Sequence, residues 1–342
     1  MLGKNIIKKY ALRSQIELRL RKKRTNRVFT VCYPIQLVNL GSTTYLDGWF
    51  LKRYSGDVKQ FILRIVILFF VISGTGGCAK MAMNSMIGPA VENLQRQNDL
   101  DLVCEGTSSF LLLLDSMLES DPDDEHLLMT STQAFSAYAT ALDVCGRPER
   151  AATVSGKAKK YGLALLAGNQ DLQPIDTMEL SALQEALTKL TVKDSAALFW
   201  AGNGWATWIR YQKGSPAALA DLVKVELIMR RVIELDETLY HGGAHLFFGA
   251  YFGSKPPMLG GKPEESRIHF EKALAISQRE FLPAQLAYAQ IYARMMYDRD
   301  LFSQLLQEVL DFPIEKRPDI ALANQAAKRK ASQLLEQVDR YF

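Results

Sequence analysis

Three late segments carry the same apolar stripe, and a stripe of that period can be buried only on an α-helix. Val225, Ile228, Met229, Val232 and Ile233 stand at positions i, i+3, i+4, i+7 and i+8, and Phe302, Leu305, Leu306, Val309 and Leu310 repeat the pattern. Between them Phe270, Ala273 and Leu274 keep the last three positions, with Ser266 and His269 at the first two. Corresponding residues lie 41 and 36 residues apart. Tetratricopeptide units recur at about 34 residues, so one interval carries a small insertion and the other a larger one. The larger insertion is legible as Gly253-Ser254-Lys255-Pro256-Pro257-Met258-Leu259-Gly260-Gly261-Lys262-Pro263. A helix pair of this kind buries its face only against neighbouring pairs. The pattern predicts an all-α chain of about twelve helices between Met86 and Phe342, arranged as tetratricopeptide-like helical-hairpin repeats in an α–α superhelix. Residues 86–193 read as similar pairs with a blurred period.

Local signals agree with that class. Asp121-Pro122-Asp123-Asp124-Glu125 reads as a helix start, with an N-cap acid, Pro at the first helical position and acids in the first turn. Ser215-Pro216 reads as a similar start, and Gly146-Arg147-Pro148 and Gly168-Asn169 as helix ends.

Charge divides the chain. Residues 1–77 hold 14 Lys and Arg against 3 Asp and Glu, whereas the rest holds 27 against 34. A basic leader thus precedes a mildly acidic body, and an acidic body argues against nucleic acid as its partner. From Val58 the leader has Lys59 and Arg64, then an unbroken apolar run from Ile65 to Ile72. Phe61 to Ile72 is too short to span a bilayer, which takes about twenty apolar residues. Basic, apolar and small residues in that order form a secretory signal. Ser73-Gly74-Thr75-Gly76-Gly77-Cys78 resembles a bacterial lipobox, with Thr75 where an aliphatic residue is usual, and makes Cys78 the candidate lipidation site. Ala79, rather than Asp, after that cysteine points to the outer membrane. Residues 1–57 then precede a complete signal, and no Met falls between Met1 and Met81. The expected organisation is a misassigned extension over 1–57, a signal peptide over 58–77 and a helical-repeat domain over 78–342.

The body offers no catalytic constellation. Cys104 and Cys145 sit in apolar helical stretches, where two small core residues are favoured over a disulfide, although an extracytoplasmic compartment permits one. His241 and His245 have the i, i+4 half of a zinc motif, but Gly242-Gly243-Ala244 replaces the glutamate it needs, so neither metal nor cofactor is expected. Phe199, Trp200, Trp205, Trp208 and Tyr211 surround Gly202-Asn203-Gly204. Two glycines in an aromatic helix mark either close helix packing or a concave surface for an apolar ligand. Tyr251, Phe252, Pro256, Pro257 and Met258 gather at the insertion, and repeat insertions often form the binding face.

His245-Leu246-Phe247-Phe248-Gly249-Ala250-Tyr251-Phe252-Gly253, then Pro256-Pro257-Met258-Leu259-Gly260-Gly261 and Phe270-Glu271-Lys272-Ala273-Leu274, resemble the T component of TRAP transporters, the TatT family. The Trp205 segment and the Cys78 leader fit the same layout, so the resemblance runs from Cys78 to the C-terminus. It implies a periplasmic, membrane-anchored lipoprotein that is not an enzyme, associates with the extracytoplasmic substrate-binding P subunit, forms a homotrimer and relays an organic-acid or hydrophobic ligand. Candidate partner or ligand contacts are Trp205, Trp208, Tyr211, Tyr251, Phe252, Pro256, Pro257 and Met258. The competing readings are an all-α hydrolase and a general tetratricopeptide scaffold of the cell envelope.

Overall fold

The computed structural model describes residues 60–61 and 87–342. The expected extension, nearly all of the signal segment and Cys78 lie outside the described residues. Among those described there is no strand. A helical stretch over 87–95 leads into α1 (Leu100–Ser120), α2 (Glu125–Val144), α3 (Ala151–Ala167), α4 (Leu180–Thr188), α5 (Ser195–Tyr211), α6 (Pro216–Ala220) and α7 (Leu222–Asp236). Then come α8 (Leu239–Gly253), α9 (Pro263–Ile276), α10 (Leu282–Ala287), α11 (Arg299–Asp311) and α12 (Ala321–Leu335). The all-α expectation holds.

Side-chain caps set several of these boundaries. The Asp99 carboxylate accepts from the Asp101 and Leu102 amides and starts α1. Asp124, not Asp121, caps α2, accepting from the Leu127 amide at 2.9 Å. Asp121 instead closes α1, its amide donating to the Met117 carbonyl at 3.0 Å, and Pro122 falls in the turn between the two. The acidic run therefore serves two helix ends, and α2 begins later than its proline suggested. Gly146 ends α2 at φ +70°, with the Arg147 amide returning to the Leu142 carbonyl at 2.8 Å. Pro216 opens α6 as read.

The three stripes are core. Val225, Ile228, Met229 and Val232 are buried, as are Phe270, Ala273 and Leu274, and Phe302, Leu305, Leu306 and Val309. Ser266, at the polar first position of the middle stripe, is buried too because its hydroxyl donates to the Gly249 carbonyl at 2.7 Å. The closest packing joins α2 to α3, α3 to α5, α5 to α7 and α8 to α9. Glycines set the closest of these approaches. A Cβ at Gly204 would lie 2.8 Å from the Ala158 carbonyl, and one at Gly162 would lie 3.0 Å from the Ala201 Cα. Those two pairs run in opposite senses, so α3 and α5 are antiparallel. On α8, Gly249 faces Phe270 and Gly253 faces Ser266, which makes α8 and α9 antiparallel as well. Finally α12 returns to the first pair, where Arg329 meets Asp101 at 2.6 Å and Lys330 meets Asp143 at 2.7 Å.

Cys104 and Cys145 form a disulfide, with 5.6 Å between their Cα atoms. Their separation of 41 residues is one helix up and one helix back, so the antiparallel α1–α2 hairpin brings its two ends together. The sequence favoured two unpaired core thiols, because apolar surroundings suit either state and hairpin register is not visible in composition.

Candidate functional site

The aromatic helix α5 distributes its residues between core and surface. Trp205 is fully buried among α3, α5 and α7 residues, and its indole Nε1 donates to Asp221 Oδ2 at 2.9 Å. Lys159 on α3 pairs with the same carboxylate oxygen at 2.7 Å. Its ammonium also stands over the half-buried Trp208 ring, 3.7 Å from the centroid, so one cation holds α3 to α5. Tyr211 is half-buried against the α1–α3 cluster. A Cβ at Gly202 would press Met229 and Ile228 at 3.0 and 3.1 Å. Both glycines thus answer to helix packing. Of the three aromatic candidates on α5, Trp205 reaches no surface.

The insertion is a fixed projection rather than a slack connection. Pro257–Leu259 form a 3-10 turn, closed by Gly260 at φ +84°. The Leu259 and Gly261 amides both donate to the Pro256 carbonyl, at 2.9 and 3.1 Å, and the Lys262 amide donates to the Phe252 carbonyl at 3.0 Å. A Cβ on Gly261 would lie 1.8 Å from the Lys255 carbonyl oxygen, so no larger residue fits that crossing. At the tip Met258 is 90% exposed and Leu259 68%. Tyr251 and Phe252 form its base. The Tyr251 hydroxyl donates to Glu226 Oε2 at 2.9 Å, and burial, with that carboxylate, pushes its pKa up to about 12. Phe252 stacks on Phe248 with centroids 5.7 Å apart. Pro256 is half-buried and Pro257 exposed. The structure thus gathers Tyr251, Phe252, Pro256, Pro257 and Met258 on one projection, on different elements from Trp208 and Tyr211.

The two histidines do not share a helix face. Tyr240, His241 and Gly242 take left-handed φ values of 48°, 63° and 72°, so the regular part of α8 begins only after them. His241 stacks on Phe281, whereas His245 is buried and shares an Nδ1–Nδ1 hydrogen bond of 2.8 Å with His269 on α9. Glu237 Oε2 lies 3.1 Å from His245 Nε2. Burial lowers the pKa of both rings of the pair, that of His269 to about 4 with His245 adding to the effect. Neutral imidazoles bridging α8 and α9 are a packing device. Among the described residues no three or more His, Cys, Asp or Glu side chains are placed so that they could hold a metal ion. The sequence singled out His241 with His245; the pair that forms is His245 with His269, and its signal was the His269 that, with Ser266, interrupts the middle apolar stripe. Nothing in residue spacing announced the left-handed turn.

No curated protein matches the chain. The family model described as TRAP transporter T-component matches residues 96–342, which takes in every helix from α1 to α12, the projecting insertion and the disulfide. The chain, all-helical over its described residues, belongs to the TRAP transporter T-component family.

Proposed function

We propose that this T component is a lipoprotein anchored through Cys78 at the periplasmic face of the outer membrane, where its tetratricopeptide-like body docks the substrate-binding P subunit and relays an organic-acid or hydrophobic ligand. Membership of a transporter accessory family supports the transport role and gives no support to an enzyme. The observation that carries the docking reading is the hydrogen-bonded projection at residues 252–262. It holds Met258 and Leu259 out in solvent at little further entropic cost, and a rigid apolar tip is the form that binding anchors take. The Cys104–Cys145 bridge supports an oxidising compartment, since such bonds persist outside the cytosol. Pull-down with the P subunit tests the docking. Capture by the native chain is expected to weaken when Tyr251 and Met258 are changed to Ala, with helical content unchanged. Equal capture would move the partner surface to Trp208 and Tyr211.

The anchor has its own test. Cys78→Ala is expected to move the chain from membranes to the soluble fraction, because two or more acyl chains on the native cysteine hold through salt washing. A native chain with an unmodified N-terminus upstream of Cys78 would sink the lipoprotein reading.

A further inference from the structure

A cleft of about 420 Å³ opens between the C-terminal end of α8, the π-helical segment Tyr288–Ala293 that continues α10, and the last turn of the chain. Its size suits a small molecule. Gly253, Ser254, Gln290, Ile291, Arg294 and Tyr341 line it. A π-helix is rare and is frequent at functional sites; this one carries Gln290 and Ile291 and leads directly into Arg294.

Arg294 is the one charged residue of the lining. Its guanidinium sits over the Tyr341 ring, 4.1 Å from the centroid, and has no carboxylate partner among the described residues. Arg267 and Arg317, by contrast, are each held between two carboxylates. A guanidinium braced on one face by an aromatic ring keeps its fork of N–H donors for a planar oxyanion. The opposite wall supplies an acceptor. The Phe252 carbonyl takes the Lys262 amide and the Tyr251 carbonyl takes the Ser254 hydroxyl. The Gly253 carbonyl would look three and four residues on for its donor, and those residues are Pro256 and Pro257, which have no N–H. As the last residue of α8, Gly253 therefore keeps its carbonyl without an intrahelical partner.

We infer that this cleft binds a small monocarboxylate that also carries a hydrogen-bond donor such as a hydroxyl. The carboxylate meets Arg294, with Gln290 beside it, and the donor meets the Gly253 carbonyl. A single lining cation matches one negative charge, which favours a carboxylate over a phosphate dianion. The inference rests on the relay part of the proposed function and gives its ligand a chemical form, but its test needs no P subunit.

The test is calorimetric titration of the full chain in detergent with 2-hydroxybutyrate, butyrate, 2-hydroxybutyramide and inorganic phosphate. Saturable one-to-one binding of 2-hydroxybutyrate is expected, at least tenfold tighter than the amide and tighter than butyrate. Arg294→Gln is expected to weaken it tenfold or more, while Arg210→Gln, at another exposed arginine without a carboxylate partner, leaves it unchanged. This titration uses no P subunit and the docking test uses no small acid, so the two readings fail separately. Absence of binding, equal affinity for acid and amide, tighter binding of phosphate, or an unaltered Arg294→Gln variant would each overturn the carboxylate assignment. Equal affinity for butyrate and 2-hydroxybutyrate would overturn the role of the Gly253 carbonyl.

Discussion

Cys104→Ala combined with Cys145→Ser is expected to lower the free energy of unfolding by about 4 kcal/mol. The bridge spans 41 residues, and closing a loop of that size removes conformational entropy from the unfolded chain worth roughly that amount. It does so at the first hairpin, which is also where α12 returns through Arg329 and Lys330. Those ion pairs leave their partners Asp101 and Asp143 well exposed and screened by solvent, so the covalent bond dominates that end of the body. Denaturant unfolding of the double variant against the oxidised native chain measures the effect, and dithiothreitol added to the native chain should reproduce it. A midpoint that ignores the reductant would show that the bridge does not form.

Trp205→Ala is expected to cost about 3–5 kcal/mol, the range for removing a large aromatic side chain from a packed core. Trp205 fills the space between α3, α5 and α7, where Gly204 lets the α3 backbone approach. Its loss also takes the indole donor from Asp221 and leaves that carboxylate to Lys159 alone. Trp205→Phe keeps most of the ring volume and removes the hydrogen bond, so its cost should be smaller, about 1–3 kcal/mol. Thermal or urea unfolding of both variants separates packing from the polar contact. If Trp205→Ala unfolds like the native chain, the residue is not where this account puts it.

Much of the fold was legible because helical burial leaves a periodic trace. The stripes at Val225, Phe270 and Phe302 are buried as their spacing required, and Ser215-Pro216 opens a helix. Legibility failed where one residue type serves two structural ends. Asp121 and Asp124 are chemically the same, and only the path of the chain decides which one closes α1 and which one opens α2. It failed again where partners are distant. His269 lies 24 residues from His245, and Lys159 lies 62 from Asp221, so neither contact has a sequence spacing to betray it. The insertion was visible from its prolines and glycines, and its stiffness follows from them: Gly260 supplies the left-handed turn and Gly261 the crossing beneath the Lys255 carbonyl. The Arg294 cleft had no sequence signature, because its walls come from three separate segments, one of them a π-helical turn.

If the projection at residues 252–262 docks the P subunit as proposed, the affinity of that subunit for the full chain in detergent depends on the exposed tip. Saturable binding by the native chain is expected, with at least a thirtyfold loss, about 2 kcal/mol, when Met258 and Leu259 both become Ala, as for removal of an exposed anchor at a binding hot spot. Circular dichroism should show the same helical content for both chains. An affinity unchanged by the double substitution, or no binding by a folded native chain, would contradict it.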